Sequence, residues 1–391
     1  MTSIVHLTWE YPPRVFGGLG RHVHALAEEQ ARAGHDVMVI TPYADDAPAR
    51  EVIAGVDVIR VRRDPPYVPF DVERLMVWAL GFESAAARAA IELGITPDVV
   101  HAHDWHVAHA AAAVRASSGA VFALTIHATE GGRHRGWITS ELSRQIHSVE
   151  WWAAHEADVL IACSEAMESE IERLFGVSHL DIIPNGVDVT SLTPRTRGRE
   201  IVFLGRLEWE KGVQTLVEAL GILRRQRTPF TAVVAGTGTF EPELRALVAR
   251  EGLTDAVRFE GWMSESDKRA MLGSAGAIVV PSFYEPFGIV ALEAVEAGGP
   301  VVVSDTGGLR EIAQTIPGVA AFPAGDAAAL AQVLGDVLDS SYDAGAARTA
   351  LREHYSWEGI AQRTVDAYRR ASRRTDSTHY VEPSQDRSVL D

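Results

Sequence analysis

Short runs of Val, Ile, Leu and Ala alternate with longer stretches whose apolar residues recur at helical spacing, along nearly the whole chain. Such alternation predicts parallel strands joined by crossover helices. In the first half the pattern predicts strands at Ile4–Thr8, Asp36–Thr41, Val56–Val61, Asp98–Ala102, Val121–Ile126, Val159–Ala162 and Asp181–Pro184. Helices are expected at Gly18–Ala33, Val72–Leu93, Val107–Ala116, Ile138–His155 and Ala166–Phe175. In the second half strands fit Ile201–Gly205, Thr231–Ala235, Val257–Glu260, Ala277–Val280 and Val301–Ser304. Their helices fall near Val213–Arg225, Glu241–Glu251, Glu265–Leu272, Phe287–Ala297 and Leu309–Gln314. Each half reads as a doubly wound unit, and no repeat of solenoid period is evident. The seam is the polar, Pro-containing stretch Asn185–Arg199. A last helix is expected at Ser356–Ala371, and the polar, aperiodic Ser372–Asp391 is expected to be disordered.

Composition narrows the class. The 391 residues carry 36 Lys+Arg against 53 Asp+Glu, a formal charge of −17. That field disfavours nucleic acid and anionic membranes as partners. Cys163 is the single cysteine, so no intramolecular disulfide can form and a reducing, cytoplasmic setting is expected. The start shows no basic-then-apolar leader, and no apolar run approaches the ~18 residues of a membrane span.

Four segments at strand ends carry candidate chemistry. The first, Glu10-Tyr-Pro-Pro-Arg14-Val-Phe-Gly17-Gly18-Leu-Gly20-Arg21-His22, opens the first helix. Its amides can approach a phosphate, or it can be a plain tight turn. The order G-G-x-G is not the dinucleotide fingerprint. The second, Gly205-Arg206-Leu-Glu208-Trp-Glu210-Lys211-Gly212, sets two cations where a strand becomes a helix. Arg206 offers a planar fork and Lys211 a mobile point charge for a phosphate, although Glu208 and Glu210 could simply match them at the surface.

The third is Pro281-Ser282-Phe-Tyr284-Glu285-Pro286-Phe-Gly288-Ile-Val-Ala-Leu292-Glu293. Glu293 lies eight residues after Glu285, expected two turns along one helix face. Carboxylates so spaced cannot share a proton but can hold two hydroxyl-bearing parts of one extended ligand. Gly288, Ile289 and Val290 would present amides at the helix start, and the glycine turn Thr306-Gly307-Gly308 would cradle a diphosphate from the other side. The fourth joins His101-Ala-His103-Asp104-Trp105-His106 to Thr125-Ile-His127-Ala-Thr129-Glu130. No H-E-x-x-H spacing accompanies these histidines, so no metal site is assigned; hydrogen bonding to sugar hydroxyls suits Asp104, with His127 near the reacting centre. Trp105, Trp137, Trp151 and Trp152 are either stacking platforms for sugars or packing residues.

Together these motifs resemble the family-4 retaining glycosyltransferases of the GT-B fold, and most of all their glycogen-synthase-like α-1,4-glucosyltransferase branch. The resemblance runs from about Ile4 to about Tyr368. It rests on E-x7-E at Glu285 and Glu293 and on G-R-x-x-x-x-K-G at Arg206 and Lys211. G-G-L-G at Gly17–Gly20, H-A-H-D-W at His101–Trp105 and P-N-G-V-D at Pro184–Asp188 support it.

It implies two Rossmann-like domains facing across a cleft: residues 1–187 on the acceptor side and 188–355 on the nucleotide-sugar side. Residues 356–371 would form a helix crossing back to the first domain, and 372–391 a tail. It implies that Arg206 and Lys211 bind the donor diphosphate, Glu293 the ribose and Glu285 the transferred hexose. Amides near Gly17, Gly18, Gly288–Val290 and Thr306–Gly308 would contact phosphate and sugar. The His127 carbonyl would face the anomeric carbon, while Asp104 and Asn185 would support the acceptor side. Trp262 is a candidate for packing on the base. The implied activity is transfer of a hexose, glucose from UDP- or ADP-glucose, to a hydroxyl of an oligo- or polysaccharide acceptor, by α-1,4 elongation of a glycogen-like or methylated glucose polysaccharide, with no cofactor, metal or nucleic acid. A mannosyltransferase using GDP-mannose and a sugar-nucleotide epimerase of the same fold are the alternative readings, ahead of a non-catalytic carbohydrate-binding protein; a pyridoxal-phosphate phosphorylase would be much longer.

Overall fold

The structure, a computed structural model, describes residues 1–15, 17–64, 74–189 and 197–377, with backbone only at 373–377. Its first sheet is built from β1 (Ser3–Leu7), β2 (Asp36–Pro42), β3 (Arg50–Ile53), β4 (Val56–Val61), β5 (Val99–His103), β6 (Val121–Ile126), β7 (Val159–Ala162) and β8 (Asp181–Ile182). They lie in the order β3-β4-β2-β1-β5-β6-β7-β8, parallel except where β3 runs antiparallel to β4. Between them run α1 (Gly18–Arg32), α2 (Leu75–Glu92), α3 (Ala108–Ser118), the single-turn α4 (Glu130–Arg133), α5 (Glu141–Glu156) and α6 (Glu165–Phe175).

The second sheet holds β9 (Glu200–Leu204), β10 (Thr231–Ala235), β11 (Val257–Glu260), β12 (Ala277–Val280), β13 (Val301–Ser304) and β14 (Ala320–Phe322), all parallel, in the order β11-β10-β9-β12-β13-β14. Its helices are α7 (Val213–Arg225), α8 (Glu241–Arg250), α9 (Glu265–Ser274), α10 (Ile289–Glu296), α11 (Gly307–Thr315), α12 (Ala327–Asp339) and α13 (Ala344–Tyr355). The central strands β12 and β13 are buried along their full length, as a parallel sheet covered on both faces requires.

Strand order reverses between β1 and β5 in the first sheet and between β9 and β12 in the second. Loops leaving neighbouring strands at such a reversal part to opposite faces and leave a crevice at the carboxyl ends. The four candidate segments are the loops after β1, β5/β6, β9 and β12. The two domains meet tightly there: the Glu311 carboxylate on α11 accepts hydrogen bonds from the Glu165 and Ala166 amides opening α6, at 3.1 and 2.9 Å. A last helix, α14 (Trp357–Ser377), returns to the first domain, where Trp357, Ile360, Val365 and Tyr368 bury themselves with Ile4, Leu26 and Val99.

Several expectations are corrected. The helix expected from Phe287 begins at Ile289, because Gly288 is left-handed (φ 113°) and Pro286 precedes it; Glu285 is therefore in a loop, not on the helix face of Glu293. The last helix runs past Ala371 to Ser377, since no Gly or Pro interrupts it; the rest of the expected tail lies outside the described residues, as do 72–73 of the second expected helix and 190–196 of the seam. The edge strand β3 was not anticipated: it is largely exposed, lacks an apolar face, and is fixed by the turn at Ala54 and Gly55, both of positive φ.

Candidate active site

Lys211 and Glu285 meet at the β9/β12 reversal. The Lys211 Nζ donates to Glu285 Oε2 at 2.8 Å, and the Ser282 hydroxyl donates to the same oxygen at 3.2 Å. The two loops interlock through their backbones: the Phe283 amide donates to the Glu210 carbonyl at 2.8 Å. Gly212, at φ 68°, passes so close that a Cβ there would lie 1.9 Å from the Pro281 carbonyl oxygen. Arg206 pairs with Glu210 at 3.3 Å and stays half exposed. Glu208 turns away to hold Thr239. The surface-matching alternative thus describes part of Arg206's surroundings and none of Lys211's.

The Thr306-Gly307-Gly308 turn packs against the same loop. The Gly308 amide donates to the Glu285 carbonyl at 3.1 Å, and Gly307 (φ 50°) lies where a Cβ would sit 2.1 Å from that oxygen. Thr306 precedes α11 without capping it through its side chain, and Gly288 leaves α10 equally uncapped. The Ile289 and Val290 amides opening α10 and the Gly307 amide opening α11 are therefore available to an anion, whereas those of Thr306, Gly308 and Leu309 are already bound within the protein.

From the first domain, the glycine loop after β1 reaches the start of α10: a Cβ on Gly18 would meet the Ile289 side chain at 2.9 Å, whereas Gly17 borders open space. The Gly17 amide is held by Glu10 Oε2 at 2.9 Å. Sequence reading missed the partners of Glu293. Arg21, one turn into α1, donates to Glu293 Oε1 at 2.6 Å across the cleft, and Lys268 of α9 approaches the same oxygen at 3.2 Å. Both residues were visible as cations, but nothing in linear spacing pairs residue 21 with residue 293. A second tie was also invisible: the Tyr284 hydroxyl donates to Glu170 Oε1 at 2.9 Å.

Behind these groups, Asp104 Oδ1 accepts from the His127 amide at 2.6 Å, with Asp104 itself at φ 61°. Burial raises the Asp104 carboxyl to about 6, against the opposing pull of that backbone hydrogen bond. Burial lowers the His127 imidazole to about 3, so the ring is neutral. Asn185 is buried beside His22. Ring nitrogens of His6, His101 and His103, and of His22, His103 and His127, lie within 4.8 Å of one another, a spacing open to a metal ion. Those of His6, His101 and His103 are taken up by hydrogen bonds to neighbouring side chains. Trp105 is buried and offers no sugar platform, Trp152 stacks on His109, and Trp137 and Trp262 are exposed.

Residues 16–191 match the family model Glycosyltransferase Family 4, and residues 189–354 match Glycosyl transferases group 1. The chain is 42% identical over 394 residues to a glycogen synthase of Mycobacterium tuberculosis, covering 95% of each. Its fold is similar to sucrose-phosphate synthase from Thermosynechococcus elongatus (TM-score 0.78, 24% identity, 96% of this chain and 100% of that one). It is also similar to the catalytic domain of starch synthase IV from Arabidopsis thaliana bound to ADP and acarbose (TM-score 0.75, 18% identity, 95% and 99% covered). The chain belongs to the family-4 glycosyltransferases and has the GT-B fold. It is an enzyme of the glycogen-synthase-like kind, with no helix among its described residues long and apolar enough to cross a membrane.

Proposed function

We propose that this enzyme is a retaining, metal-independent glucosyltransferase that moves glucose from UDP- or ADP-glucose to an α-glucan or related acceptor, lengthening it by α-1,4 linkages. The observation that carries the reading is that Lys211, five residues after Arg206, meets Glu285 beside the adjoining starts of α10 and α11. Departure of a nucleoside diphosphate leaves negative charge on phosphate and positive charge on the sugar ring. Fixed cations and aligned amides oppose the first, an electrostatic contribution worth about 3–4 kcal/mol for a well-placed donor. Two side-chain cations supply the charge that a divalent ion would otherwise bring.

In this reading Lys211 and Arg206 grip the diphosphate, with the amides of Gly18, Ile289, Val290 and Gly307 around it and the turns at Gly17, Thr306 and Gly308 letting the backbone approach closely. Glu285, already oriented by Lys211 and Ser282, holds hexose hydroxyls, and Glu293 holds the ribose. The His127 carbonyl faces the developing oxocarbenium charge, its backbone fixed by Asp104, while Asn185 supports the acceptor side. Among the described residues no carboxylate is assigned as a nucleophile, and the acceptor hydroxyl enters on the face the leaving group vacates, which retains configuration. Closure of the cleft excludes water and suppresses hydrolysis. A single buried cysteine suits a cytoplasmic setting.

The test is a matrix of UDP-, ADP- and GDP-sugars against maltooligosaccharides, with product linkage and anomer read by NMR. An α-1,4-linked glucose product supports the reading. Conversion of the donor without any acceptor would instead indicate an epimerase, and transfer from GDP-mannose alone a mannosyltransferase.

A further inference from the structure

We infer that Gln30, His6 and His103 form a buried hydrogen-bond relay that fixes which nitrogen of His127 carries its proton, making them positioning residues for the reaction. The inference rests on the proposal that His127 borders the reacting carbon. Gln30 Oε1 lies 2.7 Å from His6 Nε2; His6 Nδ1 lies 3.0 Å from His103 Nε2; His103 Nδ1 lies 3.2 Å from His127 Nε2. Sheet order builds the line, because β1 pairs with β5 in register His6 to His101, and β5 pairs with β6 in register His103 to Thr125.

A neutral imidazole has one N–H and one bare nitrogen. Burial keeps His6 down at about 4 and His127 at about 3, and holds His103 well below its ordinary value, so each ring carries one proton. An amide oxygen can only accept, so the Gln30 end demands N–H on His6 Nε2. His6 Nδ1 is then bare and accepts from His103 Nε2–H. His103 Nδ1 in turn accepts from His127 Nε2–H. The remaining nitrogen of His127, Nδ1 on the opposite ring edge, is thereby fixed as a bare acceptor for a substrate hydroxyl.

A side branch holds the line in place. The Tyr368 hydroxyl of α14 pairs with His101 Nδ1 at 2.6 Å, His101 Nε2 pairs with the Thr125 hydroxyl at 2.8 Å, and the His101 and His103 rings lie 4.1 Å apart. This gives the returning C-terminal helix a direct bearing on the centre of the first domain.

The test uses the full chain with 15N-labelled histidine and long-range 15N–1H spectra at neutral pH. The relay predicts Nε2–H tautomers at His6, His103 and His127. Gln30→Met, which offers no amide oxygen to the His6 proton, should give mixed tautomers at His127, two rings distant, in a protein that is less stable but still folded. Its kcat should fall about tenfold, the loss of one well-aligned hydrogen bond, with the donor KM within about twofold. An Nδ1–H tautomer at any of the three rings in the unaltered protein overturns the relay, and so does a His127 spectrum indifferent to Gln30. Displacement of the N–H signals by equimolar Zn²⁺ also overturns it, in favour of a metal site. If Gln30→Met fails to fold, the unaltered spectrum alone decides. Absence of sugar transfer by the unaltered protein would overturn the proposed function, a result separate from the tautomers.

Discussion

The Lys211 ammonium lies 2.8 Å from the Glu285 carboxylate, and this one pair joins the loop after β9 to the loop after β12. It sets a cation and a carboxylate side by side where strand order reverses. Because the two loops are also pinned backbone to backbone, the pair is held in place before any ligand arrives.

Removing either cation should therefore damage catalysis far more than folding. Lys211→Ala and Arg206→Ala are each expected to lower the transfer rate about 10²–10³-fold, the range for loss of one preorganised charge-stabilising donor. Unfolding midpoints should stay close to that of the unaltered enzyme. Near-normal turnover in either variant would remove the diphosphate assignment.

The glycines beneath the pair should tolerate no side chain. Gly212→Ala meets a left-handed backbone, which costs roughly 1–2 kcal/mol for a residue with a Cβ, and in addition a carbonyl oxygen 1.9 Å from the new carbon. Urea unfolding should show this loss together with reduced activity. Gly34→Ala provides the control: it shares a positive φ but has open space around it, so only the conformational cost should appear.

Activity should fall on the acid side with a single ionisation near pH 6, that of Asp104. As pH drops through about 6 its carboxylate takes a proton and its hold on the His127 amide weakens. The buried histidines titrate too low to account for that limb. Stability moves the other way: a carboxyl raised from 3.8 to about 6 favours the fold when protonated, a contribution lost as pH rises through about 6. Rate profiles and thermal melts from pH 4 to 8 on the enzyme and on Asp104→Asn test both signs.

Glu150 offers a sharper case outside the chemistry. Burial raises it from 4.5 to about 9, and it accepts the Glu130 amide at 2.8 Å. Its stabilising protonated state is fully present below 4.5 and is lost as pH rises through about 9. Glu150→Gln should flatten the decline in melting temperature between pH 6 and 9. A parallel decline in both proteins would contradict this placement.

Transfer should also survive excess EDTA. Complete loss, restored by Mn²⁺, would transfer the role of Lys211 and Arg206 to a metal ion.

Much of this was legible in the chain. Alternating apolar runs marked the parallel strands, and motifs at strand ends marked the crevice, because parallel sheets place their loops at the carboxyl edge. What was illegible depended on three dimensions. Helical spacing put Glu285 on the helix of Glu293, yet Gly288 starts α10 only after it. Arg21 and Glu293 are 272 positions apart and meet only because the domains face each other. The histidines stood out as a cluster, but their pairing required knowing that β1 lies beside β5.

The most direct test is a crystal structure with UDP or ADP bound. The account predicts diphosphate oxygens within hydrogen-bond distance of Arg206 and Lys211, and ribose hydroxyls on Glu293. A nucleotide lodged elsewhere, with Lys211 still closed on Glu285 and Arg206 facing solvent, would contradict it.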